Sequence, residues 1–180
     1  VNTQLTAGNI TNVEVFDYRA TGGGNLDFDT AGSATSFKLT NVSSTSDFSD
    51  VRLSDTVEFV NAGASLDTLI TYNAANITGT ADSHTITLNG VSAGADIQLS
   101  GAVETVNLTV AAATSIADLD LDGGTTALTI AAAGAFTITN QLTNAAVTSV
   151  TVTGAGAVDT DAITFSTTVT TYDASAATGA

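Results

Sequence analysis

One short phrase recurs along this chain and limits what the chain can fold into. Val103-Glu104-Thr105-Val106-Asn107-Leu108 has earlier forms at Asn12-Val13-Glu14-Val15-Phe16-Asp17-Tyr18 and Thr56-Val57-Glu58-Phe59-Val60-Asn61. A fourth, Ala146-Val147-Thr148-Ser149-Val150-Thr151-Val152, keeps the apolar frame and puts Thr where Glu stands. The leading valines fall at 13, 57, 103 and 147, an interval of about 44 residues. Self-similarity at a fixed period of that size marks stacked structural repeats. All three glutamates take the same place in the phrase, so they are expected at equivalent corners of the repeat.

A finer period lies inside the coarse one. Apolar residues at i and i+2 mark strands with one buried face. They recur at Phe16/Tyr18, Phe37/Leu39, Val60/Ala62, Ile86/Leu88, Val106/Leu108, Leu128/Ile130, Val150/Val152 and Tyr172/Ala174. The step between them is half that of the phrase, about 22 residues. A second series runs between them: Leu26/Phe28, Val51/Leu53, Ile70/Tyr72, Ile97/Leu99, Leu119/Leu121, Phe136/Ile138 and Ile163/Phe165. Turns such as Thr21-Gly22-Gly23-Gly24-Asn25 and Asp122-Gly123-Gly124 supply corner residues that tolerate positive φ. Two-residue hairpin signals of the kind antiparallel meanders need are missing. The expected fold is therefore all-β: one parallel β-solenoid over residues 1–180, about 22 residues per coil, with two or more short strands per coil. Coils about 4.8 Å apart would make eight of them a rod roughly 40 Å long. The Ala-rich runs Val110-Ala111-Ala112-Ala113 and Ile130-Ala131-Ala132-Ala133 favour helix by propensity, but strand pairs bracket them too tightly.

Composition narrows the function. Against 18 acidic residues stand only Arg19, Lys38 and Arg52, a formal charge of −15. Such a surface repels phosphate, so nucleic acid is not an expected partner. The acids must be screened over a Debye length of about 8 Å or neutralised by cations. With no cysteine there is neither a disulfide nor a thiolate metal site. A Cys-free, Met-free, Thr- and Asn-rich acidic chain suits an exported bacterial surface protein, so an extracellular location is expected. No apolar run approaches the length of a membrane span. The chain reads as a segment of a larger secreted protein.

Strand parity places Glu14, Glu58 and Glu104 with the inward pairs, where an unpaired carboxylate is costly. A bend after the preceding valine is therefore expected to swing each Glu to a corner, to accept backbone N–H groups or to ligate a cation. Asp118-Leu119-Asp120-Leu121-Asp122-Gly123 is the sharpest local signal. Alternation puts three carboxylates on one face, and Ca²⁺ takes six to eight oxygen ligands; a solvated acidic face is the other reading. An EF-hand is excluded because the twelfth position is Thr129 rather than Glu. Further acids flank the second strand series: Asp27/Asp29, Asp47/Asp50, Asp67, Asp96 and Asp159/Asp161. Stacked coils should align them along one edge.

Two phrases carry a family likeness. Ala102-Val103-Glu104-Thr105-Val106-Asn107-Leu108 and Val169-Thr170-Thr171-Tyr172-Asp173-Ala174-Ser175-Ala176-Ala177-Thr178-Gly179 resemble phrases of bacterial surface-layer proteins of the repeats-in-toxin type. Leu69-Ile70-Thr71-Tyr72-Asn73-Ala74-Ala75-Asn76-Ile77-Thr78-Gly79 is similar to the second. The resemblance implies a secreted β-solenoid that self-assembles, copy against copy, into a calcium-dependent lattice on the cell surface, with cell-surface polysaccharide held by regions outside this segment. The family's calcium nonapeptide is matched in part by Gly22-Gly23-Gly24-Asn25-Leu26-Asp27-Phe28-Asp29-Thr30, where Asn25 replaces a glycine and Asp29 an apolar residue. The calcium ligands expected are Asp27, Asp29, Asp118, Asp120, Asp122, Asp159 and Asp161.

Other functions find less support. His84 is the only histidine and reads as a solvated turn residue rather than a general base, so no enzyme is expected. Paired acids such as Asp159/Asp161 lack a cleft signal for glycoside hydrolysis. Thr85/Thr87, Thr137/Thr139 and Thr151/Thr153 would suit an ice-binding ladder only if they shared one strand series, and they do not. The nearest rival is a calcium-stiffened rod from a secreted adhesin.

Overall fold

A computed structural model describes residues 13–19, 22–29, 34–143, 146–159, 165 and 167–179. Fifteen strands appear among them: β1 (Val15–Tyr18), β2 (Leu26–Asp27), β3 (Ser36–Thr40), β4 (Phe48–Val51), β5 (Thr56–Val60), β6 (Asp67–Tyr72), β7 (Ser83–Asn89), β8 (Asp96–Ser100), β9 (Thr105–Ala112), β10 (Thr114–Asp120), β11 (Ala127–Ala132), β12 (Phe136–Thr143), β13 (Ser149–Gly154), β14 (Val158–Asp159) and β15 (Thr171–Ala177). No helix occurs among the described residues. Odd-numbered strands form one sheet of eight and even-numbered strands one of seven, each in chain order, and every pairing is parallel. The chain is a two-sheet parallel β-solenoid. Its Ala-rich runs lie in β9 and β11 as strands.

Period-2 alternation builds the interior. In β9, Val106, Leu108 and Val110 are buried while Thr105, Asn107 and Thr109 face outward. Stacking in register puts like on like: Ile86 on Leu108 on Ile130 on Val152 in one sheet, and Ile97 on Leu119 on Leu142 in the other. Each side chain thus fills the space above its counterpart, which is how a core one residue deep excludes water. The early coils are filled by aromatics rather than by small aliphatics throughout. Phe28 stacks on Phe37 with centroids 3.5 Å apart, and Phe48 meets Phe28 at 6.0 Å and Phe59 at 6.3 Å.

Most of the expected strand pairs face inward, Leu26/Phe28, Phe37/Leu39 and Ile70/Tyr72 among the early ones, and the departures are Val51/Leu53, Val60/Ala62 and the last coil. Val57 and Phe59, not Val60, face inward from β5, so Glu58 points outward without a bend. Asn61 follows with φ 49°, which resets parity so that Ala62 is buried again. In β4 the inward residues are Phe48 and Val51, because Asp50 at φ 58° inserts a bulge; Leu53 is only half-buried. In the last coil, Val158 stacks on Phe136 where Ile163 and Phe165 were expected. Ile163 lies outside the described residues, and Phe165 packs its ring against Tyr172. Tyr172 itself, on the terminal strand, is 51% exposed.

Coil length is less even than the sequence suggests. The step from Ile86 to its partner Leu108 is repeated from Leu108 to Ile130 and from Ile130 to Val152, but the step from Val57 to its partner Ile86 is longer. The additional residues lie in the β6–β7 connection, 73–82. This excursion undoes the equivalence of the glutamates. Glu58 pairs with Thr87, which pairs with Thr109, so Glu58 sits five positions further along its coil than Glu104. Glu104 behaves as expected of a corner, taking the backbone N–H of Asp82 at 2.8 Å, whereas Glu58 bonds Lys38 (3.6 Å) and Asn89 (3.0 Å) on the sheet face.

His84 overturns its expected place. It is 2% exposed, pointing inward from β7. Its Nε2 lies 2.9 Å from the Asp55 carbonyl oxygen and its Nδ1 3.0 Å from the Tyr72 hydroxyl. A carbonyl only accepts, so Nε2 carries the hydrogen and Nδ1 accepts from Tyr72. Burial favours the neutral ring, the form in which Nδ1 accepts the Tyr72 hydrogen. Burial lowers its pKa below the ordinary value, a loss the Asp55 carbonyl partly offsets, and burial raises that of Tyr72. Asp55, 3% exposed, pairs in turn with Arg52 at 3.1 Å, and Arg52 donates to the Ala34 carbonyl at 2.9 Å. The sequence reading missed this network because its members come from separate strands and turns and meet only through stacking.

Candidate cation site on the seven-stranded face

Outward positions on the seven-stranded sheet collect aspartates. Asp67 on β6 pairs with Asp96 on β8, which pairs with Asp118 on β10. Neighbouring strands stand about 4.8 Å apart, so the three carboxylates form a ladder across three successive coils. At such spacing two like charges cost about 1 kcal/mol in water and about 4 kcal/mol near a protein surface. Asp120, one pleat beyond Asp118, sits opposite Gln98 and Thr143.

The ends of the ladder are served and its centre is not. Asp67 accepts from Gln98 Nε2 at 3.3 Å, and Asp118 accepts from Asn140 Nδ2 at 2.8 Å. Asp96 is partly covered, and its Oδ1 is buried with no hydrogen-bond donor. Burial raises the Asp96 pKa, and so do the contact with Asp118 and the charges of Asp118, Asp67 and Asp120. Ionised carboxylates at this spacing repel one another, so Asp96 and Asp118 would gain from screening by a cation, a shared proton or water. Protein cations do not supply it. Arg19 pairs with Asp17, Lys38 with Glu58 and Arg52 with Asp55, which accounts for every Lys and Arg side chain in the chain.

The other expected ligands lie apart from this ladder. Asp118 and Asp120 share the outward face, but Asp122 falls past the end of β10 and turns to the corner. Its two oxygens accept the backbone N–H groups of Gly101 (3.2 Å) and Gly124 (2.9 Å), which fixes the Asp122-Gly123-Gly124 turn. Asp27 accepts the backbone N–H of Asp29 at 2.9 Å, closing a local turn, and Asp29 is exposed. Asp159 on β14 is opposite Thr137, and Asp161 lies outside the described residues. Among the described residues no group of three or more His, Asp or Glu side chains converges as a ligand shell does. The ladder is linear. Asp96 and its neighbours Asp67 and Asp118 would be the carboxylates available to hold an ion there, with side-chain amides and water as further oxygen ligands.

Asp96 and Asp118 are separated by the same step as Ile86 and Leu108, the period of the later coils, and that much was readable from the sequence. Asp67 precedes Asp96 by more than that period and joins the ladder only because the excursion takes up the difference. No known family model, curated protein or solved structure matches this chain.

Proposed function

We propose that the chain is a non-catalytic structural segment of a secreted bacterial surface-layer protein, a solenoid rod stiffened by calcium along its aspartate ladder and self-associating into an extracellular lattice. The observation that supports calcium is the Asp67–Asp96–Asp118 register, with an unserved oxygen at its centre and no basic residue beside it. The resemblance of the 102–108 and 169–179 phrases to surface-layer proteins supports the lattice. No helix among the described residues is long and apolar enough to cross a membrane.

The charge logic sets the test. Asp96 has its pKa raised on folding, so its contribution favours the fold below about pH 4 and is lost as pH rises through the folded value. In chelator at neutral pH, Asp96→Asn should therefore melt above wild type, and the difference should vanish near pH 4. With calcium at about a hundred times its dissociation constant, wild type should gain roughly 2.7 kcal/mol. That corresponds to a rise of about 5–10 °C in Tm for a chain of this size, and Asp96→Asn should lose most of the rise. A wild-type Tm indifferent to calcium removes the cation from the account. Electron microscopy with calcium separates the two structural readings: sheets indicate a lattice, isolated rods an adhesin.

A further inference from the structure

The β6–β7 excursion is fastened at its root by a single buried side-chain bond. Tyr72 ends β6 and His84 is the second residue of β7, so their 3.0 Å contact ties together the two points where residues 73–82 leave and rejoin the solenoid. The rings also meet edge to face, with centroids 5.2 Å apart. Elsewhere the excursion packs the half-buried Ile77 against the core, donates from Asn73 Nδ2 to the Asp50 carboxylate at 3.3 Å, and is otherwise held by backbone and corner bonds. Asn73 N–H donates to the Val51 carbonyl, Asn76 N–H to the Asn73 carbonyl, Gly79 N–H to the Asp82 carboxylate and Asp82 N–H to Glu104. Residues 74–76 and 78–81 are exposed. This coil departs from the frame of the later ones, and the buried side-chain bond across its root is titratable.

We propose that the Tyr72–His84 bond is a proton-operated latch: when the imidazole gains a second proton, residues 73–82 and the adjoining ends of β6 and β7 detach from the solenoid while the later coils stay paired. With Nε2–H committed to the Asp55 carbonyl, neutral Nδ1 accepts from the Tyr72 hydroxyl, and a protonated ring could keep the bond only with roles reversed, the Tyr72 oxygen accepting. Protonation turns Nδ1 into a donor and places a cation where 2% of the residue meets water. The groups facing it offset that cost only in part. From the β4–β5 turn comes the Asp55 carboxylate, whose charge favours the protonated ring but is already paired with the Arg52 guanidinium. From β6 comes Tyr72, and from β9 the apolar Val106 that stacks on His84. Asp82 and Glu104, two residues before His84 and on the next coil, are engaged with backbone N–H groups at the corner.

His84 is the only histidine, so its imidazole resonances report one site. The lowered pKa agrees with the geometry and gives the sign: stability of the latched state is complete above about pH 6.5 and is lost as pH falls towards the folded midpoint. Across that window the ratio of open to latched forms should rise about tenfold per pH unit. The experiment is proton NMR of the whole chain across pH 4–8, with amide-exchange protection factors at each pH. The expected result is an imidazole midpoint below 6.5, with protection at Asn73, Asn76, Gly79 and Asp82 falling at the same midpoint and that of β11 and β13 unchanged. Tyr72→Phe should raise the midpoint, since Nδ1 loses its donor, and His84→Gln should make protection in 73–82 independent of pH beyond intrinsic exchange. A midpoint at or above 6.5 overturns the proposal, as does protection lost equally in β11 and β13. If His84→Gln does not fold, Tyr72→Phe decides: an unmoved midpoint is equally fatal.

Discussion

Phe48→Ala should destabilise the chain by about 3–5 kcal/mol, the cost of emptying a large aromatic site in a core that cannot collapse into the gap. Phe48 has no exposed surface and stands between two rings, Phe28 at 6.0 Å and Phe59 at 6.3 Å. Across the sheet, from coil to coil, it lies between Leu26 and Ile70. A solenoid interior is one side chain deep, so each neighbour has sheet backbone behind it and little freedom to move inward. For a chain of this length the expected loss is on the order of 10 °C in Tm. Thr129→Ala, on the outward face of β11, removes no buried contact and should stay within about 0.5 kcal/mol of wild type. Urea unfolding of both variants checks the contrast. A loss below about 1 kcal/mol at Phe48 would mean that the aromatic column is not the core of the early coils.

Asp55→Ala should cost about 3–5 kcal/mol, for an electrostatic reason rather than one of packing. The Asp55 side chain has no exposed surface and binds Arg52 through both oxygens, taking the Arg52 backbone N–H at 2.9 Å as well as the guanidinium. Truncation leaves the guanidinium, 25% exposed, without its counter-charge. That partial exposure lets water screen the orphaned cation, which puts the expected loss at the lower end of the range. Replacing both partners with apolar residues, Arg52→Met with Asp55→Leu, should recover most of it, because the penalty comes from the unpaired charge. A double-mutant cycle measured by urea unfolding separates the two. A single mutant no worse than the double would show that the pair is not buried in solution as it is here.

The later coils were legible because each is built from one repeated phrase. From Ile86 through Leu108 and Ile130 to Val152 the inward positions recur at one constant step, and β-branched alternation leaves one way to face the strand. Two earlier pairs, Val51/Leu53 and Val60/Ala62, were not, because the left-handed residues Asp50 and Asn61 each shift parity by one and nothing in period-2 counting registers that. Asn can take positive φ, but so it can in any turn, and the sequence does not say which Asn will. The cation site was legible in outline: acids beside the second strand series do align. What could not be read was which acids meet, since Asp122 is drawn to a glycine corner and Asp67 is brought into register by the β6–β7 excursion. His84 was misplaced for a related reason. Its partners Tyr72 and Asp55 come from other parts of the coil stack, and a polar residue between Ser83 and Thr85 looks solvated until stacking encloses it.

The ladder stands or falls with the register of β8 on β10, and the absence of native cysteine makes that register directly measurable. Asp96→Cys with Asp118→Cys puts two thiols on directly paired Cα positions of adjacent strands, within the roughly 4.4–6.8 Å a disulfide spans. Asp67→Cys with Asp118→Cys puts them two coils apart, at about 9.6 Å. Under mild oxidant the first pair should close within the folded chain and the second should keep both thiols free. Closure of the second pair, or failure of the first in a chain that still melts cooperatively, would contradict the stacking from which the cation site is drawn.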